Sequence, residues 1–200
     1  MNPCERTPAP PLLSKYAEEI ADDYARKRED NPAHSFQWPQ REGQSLYGVV
    51  RDAAREMTQA HCAYCDAGLI AATGKEEIDH FRPKSRPDFY RLVSDWANLL
   101  YSCSACNGAK LEKWDELLLK PDAPDYAFGR FFQYKADSGE ILPNEAATSA
   151  EQRRAQCTIE VFGLNRADAC CSRKREVKRM AHLPQEEVSD ASYRFLIPLC

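Results

Sequence analysis

Four cysteines and an Asp-His pair carry the chemistry that can be read from this chain. Cys62, Cys65, Cys103 and Cys106 follow the pattern C-x2-C-x37-C-x2-C, and the stretch EEIDHFRPKS at 76–85 lies between the two pairs. A Cys-x2-Cys knuckle lets both sulfurs point at one ion, and two knuckles complete a tetrahedral zinc site. With all four positions filled by protein, none is left for substrate, so such a site is structural. It clamps the ends of the intervening segment. Zinc binding on the order of 10 kcal/mol, as in small zinc modules, can stabilise an element too short to fold alone. The alternative is four buried free thiols, since cysteine is often a small buried hydrophobe. The paired spacing favours zinc. No thioredoxin-like βαβ pattern surrounds either pair, which argues against a redox role. Cys4, Cys157, Cys170, Cys171 and Cys200 show no ligand spacing and read as packing residues.

Asp79 and His80 admit two readings. One is an acidic turn beside a core histidine. The other is a metal ligand next to a general base: an imidazole of free pKa about 6.5 is neutral enough at pH 7 to take a proton from water. Asn98 and Asn107 alone are ordinary turn or helix-cap residues. Arg82, Lys84 and Arg86 follow His80 directly and read either as a solvated loop or as phosphate contacts. Lys110 shares a helix side with Asn107 by i, i+3 spacing and reads as a further phosphate contact.

Several elements must position these residues. Leu13, Tyr16, Ile20 and Tyr24 repeat at helical spacing and predict a helix over about 12–30. Residues 1–11 are rich in proline and read as poorly ordered, and 31–44 as a connection. Leu46, Val49, Val50, Ala53 and Met57 line one face of a second helix at about 45–60. The stretch GLIAATGKEEIDHF reads as a hairpin, with strands near 68–72 and 77–82 and the turn at TGKE. A short turn at SDWANLL leads to the second knuckle, which opens a helix of about 105–118. After Pro121, FGRFFQYKADSGEILPN reads as a second hairpin turning at Asp137-Ser138-Gly139. Helices are expected at roughly 148–163, 166–182 and 185–197. The second of these is basic, and it is either a solvated face or a further contact surface.

The chain has 200 residues, 43% of them hydrophobic, and a formal net charge of −4. That excludes a generally basic nucleic-acid binder, so any such contact is a local patch. No run of about 18 apolar residues predicts a membrane span. The first residues lack the pattern of a secretory signal, and the expectation is a cytoplasmic protein.

In order, CAYC, EIDHFRPKS, DWANLL and CSACNGAK resemble the HNH, or ββα-metal, endonucleases of the four-cysteine type, over about residues 61–113. The resemblance implies an α+β fold: a zinc-stapled ββα-metal core at 61–118, a helical extension at 1–60, and a hairpin with helices at 119–200. It implies that His80 is the general base, Asp79 a magnesium ligand and Asn107 the second protein ligand. Asn98 then braces the loop that holds His80. Many family members have histidine where Asn107 stands. An amide oxygen is a harder donor, which favours Mg2+ or Mn2+. The flanks, including TIEVFGLNRADACCSRKRE, resemble a bacterial HNH subgroup tied to antiphage defence, with members in Septu-type and retron systems. This implies a DNA substrate and an ATPase partner. Two rivals stay open: a non-catalytic zinc module that binds nucleic acid or protein, and a nuclease acting on RNA or tRNA.

Overall fold

The computed structural model describes residues 1–68, 70–73, 76–188 and 190–199. Helix α1, Pro11–Asp30, starts with proline in its first turn, where the missing N–H costs nothing. It buries Leu13, Ile20, Ala21, Tyr24 and Ala25. A small hairpin follows, β1 (Gln40–Arg41) against β2 (Gln44–Ser45). Ser45 then caps α2, Leu46–Met57, whose Leu46, Val50, Ala54 and Met57 face inward.

The centre is a ββα unit. Strand β3, Glu76–His80, pairs antiparallel with β4, Leu99–Cys103, in a register that sets Asp79 opposite Leu100 and His80 opposite Leu99. Helix α3, Ser104–Lys110, begins at once, with Cys103 at its N-cap. All five β4 residues are buried. Beyond lie α4 (Phe128–Phe131), the hairpin β5 (Phe132–Lys135) with β6 (Glu140–Pro143), then α5 (Ser149–Val161), α6 (Ala167–Met180) and α7 (Gln185–Val188). Thr148 and Glu151 form a reciprocal capping box at the start of α5. At Gly139 φ is +78°, and a Cβ would stand 2.3 Å from the Cys170 carbonyl oxygen, so only glycine fits that turn. One apolar core joins residues from the N-terminal segment, the ββα unit and the C-terminal helices. The fold is α+β with small antiparallel pairs, as expected. Among the described residues, no helix is long and apolar enough to cross a membrane.

Five expectations need correction. The partner of β3 is not a strand at 68–72. Ile70–Thr73 forms a 3-10 turn, and β3 pairs instead with the apolar run LLYSC at 99–103. Within the expected hairpin, Leu69 and the turn residues Gly74 and Lys75 lie outside the described residues. The run at 99–103 is buried throughout, and that burial favours it over a nearer segment as the partner of β3. The helix expected at 105–118 ends at Lys110, because Leu111 takes φ 50° and ψ −122°. Residues 1–11 are held rather than loose. Met1 is buried and its carbonyl accepts from Tyr126 Oη, and Arg6 donates to the Trp96 and Leu99 carbonyls at 2.8 Å each. The helix expected at 185–197 is reduced to α7 and a 3-10 turn at Arg194–Leu199; Ser189 and Cys200 lie outside the described residues. The basic helix α6 is partly interior: Arg173 is fully buried and donates to Gly139 O, Leu164 O and Asn165 Oδ1 at 2.7, 2.8 and 3.1 Å.

Leu111 stops α3 in a backbone region that favours glycine, and its side chain is 65% exposed. At most positions alanine is more stable than glycine by roughly 0.5–1 kcal/mol. Here the order should reverse. Leu111→Gly is expected to exceed Leu111→Ala in stability by about 1 kcal/mol in urea unfolding. An alanine variant at least as stable as the glycine variant would show that the site carries no strain.

Candidate active site and metal centre

The two knuckles meet because of how the chain turns around them. The Ala63 N–H donates to the Tyr101 carbonyl at 2.9 Å, which ties the first knuckle to β4. The Cys103 N–H donates to Cys62 Sγ at 3.3 Å. The four sulfurs of Cys62, Cys65, Cys103 and Cys106 are all buried and lie within 4.8 Å of one another. Cys65 and Cys103 are 3.8 Å apart. Four sulfurs at about 2.3 Å from zinc span tetrahedral edges of about 3.8 Å, so the cluster can hold such an ion. The electrostatics show that the four cannot all ionise unaided. Burial pushes the Cys62 thiol well up, while hydrogen bonds from Cys106, Cys62 and Cys65 hold Cys103 well below the ordinary thiol range. A cation among the sulfurs would let all four serve as thiolates.

β3 and α3 then form the walls of an open cleft of about 270 Å3, lined by Glu77, Asp79, His80, Lys84, Asn107 and Lys110 among others. His80 is buried, with its ring stacked on Trp38 at 6.2 Å and edge-on to Phe36 at 5.9 Å. Its Nε2 lies 2.9 Å from the Val93 carbonyl oxygen. A carbonyl only accepts, so Nε2 carries the proton and Nδ1 keeps its lone pair. Burial first, then the positive charge of Lys84, lowers the imidazole pKa to about 3, against the opposing pull of the Val93 hydrogen bond. The ring is therefore neutral at ordinary pH.

Asp79 is buried, and both its oxygens have partners. The Tyr64 hydroxyl donates to Oδ2, and the Lys110 ammonium donates to Oδ1 at 3.0 Å. Lys110 is itself 1% exposed and also donates to the His80 carbonyl at 2.7 Å. It therefore lies under the Asp-His pair, not on a rim. Tyr64 stacks on Phe162 at 3.8 Å, so the end of α5 backs the residue that orients Asp79. Each carboxylate oxygen offers two lone-pair sites, which leaves acceptor capacity on Asp79. Asn107 Nδ2 donates to Glu77 Oε2, leaving the amide oxygen of Asn107 without a donor among the described residues. Carboxylate and amide oxygens on one small cleft are the donor set a hard divalent cation takes.

Asn98 does not reach the cleft. Its Nδ2 donates to the Arg82 and Leu92 carbonyls at 3.1 Å each, and its Oδ1 accepts from the Arg82 N–H at 2.8 Å. It stitches the loop after His80. Lys84 lines the cleft, whereas Arg82 and Arg86 pack beside it against Phe89 and Trp114. The sequence reading missed Glu77, Tyr64 and the Val93 carbonyl. Glu77 was within reach, since it shares a strand face with Asp79 by the period of 2. The other two depend on tertiary contacts.

No protein-family model matches the chain. It is 38% identical over 159 residues to a Septu protein PtuB of Bacillus mycoides (strain KBAB4), covering 64% of this chain and 51% of that protein. A Septu protein PtuB of Bacillus thuringiensis is 39% identical over 70 residues, 34% of this chain and 26% of its own length. A Vibrio cholerae serotype O1 biovar El Tor protein named "Retron Vc95 putative HNH endonuclease" is 26% identical over 162 residues, 78% of this chain and 73% of that protein. The match to the first relative thus spans about half of that protein's length. The chain resembles Septu- and retron-type HNH nucleases.

Asn98→Ala removes three partly buried hydrogen bonds and leaves the Arg82 N–H and the Arg82 carbonyl without the amide, while the Leu92 carbonyl keeps the Asp95 N–H. A loss of about 3 kcal/mol in urea unfolding is expected. A loss below about 1 kcal/mol would mean that water replaces the amide and the loop is not held by it.

Proposed function

We propose that this chain, with its resemblance to Septu- and retron-type HNH nucleases, is a metal-dependent nuclease that hydrolyses phosphodiester bonds. The observation that carries the reading is the His80 ring, fixed in one tautomer by Val93, beside the oxygen donors Asp79 and Asn107 on a single open cleft. A phosphodiester resists attack because its charge repels nucleophiles and its leaving alkoxide is poor. Mg2+ or Mn2+ held by Asp79 and Asn107 would supply positive charge at the scissile phosphate and the leaving oxygen.

The chain's own residues do the rest. His80 Nδ1 accepts a proton from the attacking water while Nε2–H stays on the Val93 carbonyl, which spreads the charge the ring gains. Tyr64 and Lys110 hold the Asp79 carboxylate in place. Asn98 keeps the loop after His80 from drifting. Lys84, at the cleft, and Arg82 and Arg86, beside it, meet backbone phosphates. The four-cysteine zinc site takes no part in the reaction and keeps α3 against β3.

DNA as substrate, antiphage defence as setting and an ATPase as partner belong to the same proposal, and rest on the resemblance. The net charge of −4 is compatible with a nuclease that relies on a partner to hold its substrate.

The test is to incubate the purified chain with plasmid, single-stranded DNA and total RNA, with Mg2+ or Mn2+. Cleavage is expected, and His80→Ala should lower its rate by about 10^2–10^4-fold with zinc content unchanged. Cleavage of RNA alone would replace DNA as the substrate. Equal cleavage by the variant would remove His80 from the chemistry. An inert wild type, even beside its partner, would favour the non-catalytic zinc module.

A further inference from the structure

The loop directly after His80 places three cations within five residues: Arg82, Lys84 and Arg86. The chain carries 31 acidic residues against 27 Lys and Arg, so carboxylates are plentiful. Yet among the described residues none forms an ion pair with any of these three. Two of the cations rest on aromatic rings instead. Phe89 and Trp114 meet edge to face at 4.8 Å. The Arg86 guanidinium lies 5.3 and 5.4 Å from the two ring centroids, and that of Arg82 lies 5.7 and 5.9 Å away.

That mounting has chemical consequences. A carboxylate would hold a guanidinium by consuming its N–H donors. A ring face holds it through the π quadrupole and leaves the planar fork of donors free. Two like charges on one ring pair repel each other, and that repulsion is relieved by an anion that both can reach. The loop is also fixed before any ligand arrives. Tyr24 Oη donates to the Lys84 carbonyl at 3.0 Å, Arg28 donates to the Ser85 carbonyl at 2.9 Å, and Asn98 holds the Arg82 N–H. Little ordering cost then remains for binding. Lys84 lines the His80 cleft itself, two residues from each arginine along the same loop.

We propose that Arg82 and Arg86, mounted on the Phe89–Trp114 ring pair, form a rigid seat for the backbone phosphates that flank the scissile one. The inference rests on the nuclease reading and names the substrate feature it recognises: the phosphodiester backbone of the cut strand, read without regard to base sequence. Phe89 and Trp114 are positioning residues. They do not contact the reacting atoms, and they hold the guanidiniums where the strand must pass.

Binding of fluorescent oligonucleotides of several sequences to the full chain, without added divalent metal and over a range of salt, tests this. Replacing Arg82 and Arg86 together by alanine should weaken binding about tenfold or more for every sequence. It should also reduce the slope of log K against log salt by about 2, one for each lost phosphate contact. Replacing both by lysine keeps the charges but not the forks, and should cost several-fold with the slope unchanged. Phe89→Leu with Trp114→Leu should give that same pattern, which a charge effect alone would not. Wild-type affinity and slope in the double alanine variant would overturn the seat. So would wild-type affinity in the ring variant. If the wild type cleaves while these variants bind unchanged, only the seat fails. If the wild type neither binds nor cleaves, the nuclease reading fails with it.

Discussion

Four buried sulfurs within 4.8 Å of one another are the constraint on which the rest of this molecule depends. Two of them belong to the knuckle after α2. The other two straddle the junction of β4 and α3, with Cys103 ending the strand and Cys106 in the first turn of the helix. Holding all four on one ion would therefore fix the angle at which α3 leaves the sheet. The residue after Cys106 is Asn107, and one turn further on comes Lys110. The same clamp thus aims an amide and an ammonium at β3, where Asp79 and His80 wait. A seven-residue helix and two five-residue strands are too short to hold this geometry by propensity or hydrogen bonding alone.

The flanking segments complete what the clamp begins. Phe36 and Trp38, from the connection after α1, wall in the His80 ring. Phe162, at the end of α5, backs Tyr64 and through it Asp79. The largely buried Asp66–Arg194 pair, with its ion-pair contact at 2.6 Å, ties the C-terminal turn to the first knuckle. Removing one partner of such a pair typically costs about 3–5 kcal/mol, so this tether is firm. The ββα unit is accordingly not a free-standing module with decoration. Its reactive groups are oriented by residues on both sides in sequence.

The legible parts of the fold were those governed by local rules. Cysteine spacing announced the four-sulfur cluster, because the knuckle is a local structure. Helical periodicity placed α1 and α2, and Asp-Ser-Gly placed the β5–β6 turn. What escaped depended on partners far along the chain. The strand at 99–103 was hidden in a stretch read as a turn, because a buried strand of LLYSC shows no alternation to mark it. Proline suggested looseness in residues 1–11, but Arg6 finds carbonyls some ninety residues away, at Trp96 and Leu99. Asp79 and His80 stood out in the sequence. The groups that hold them, the Val93 carbonyl and Tyr64, become visible only when the chain is folded.

The most direct measurement of the clamp is zinc X-ray absorption on the purified full chain together with its metal content. Expected is about one zinc per chain, surrounded by four sulfurs at about 2.3 Å. A folded chain without stoichiometric metal, or an ion coordinated mainly by nitrogen and oxygen, would contradict it. The approach of α3 to the Asp79–His80 strand would then need another cause.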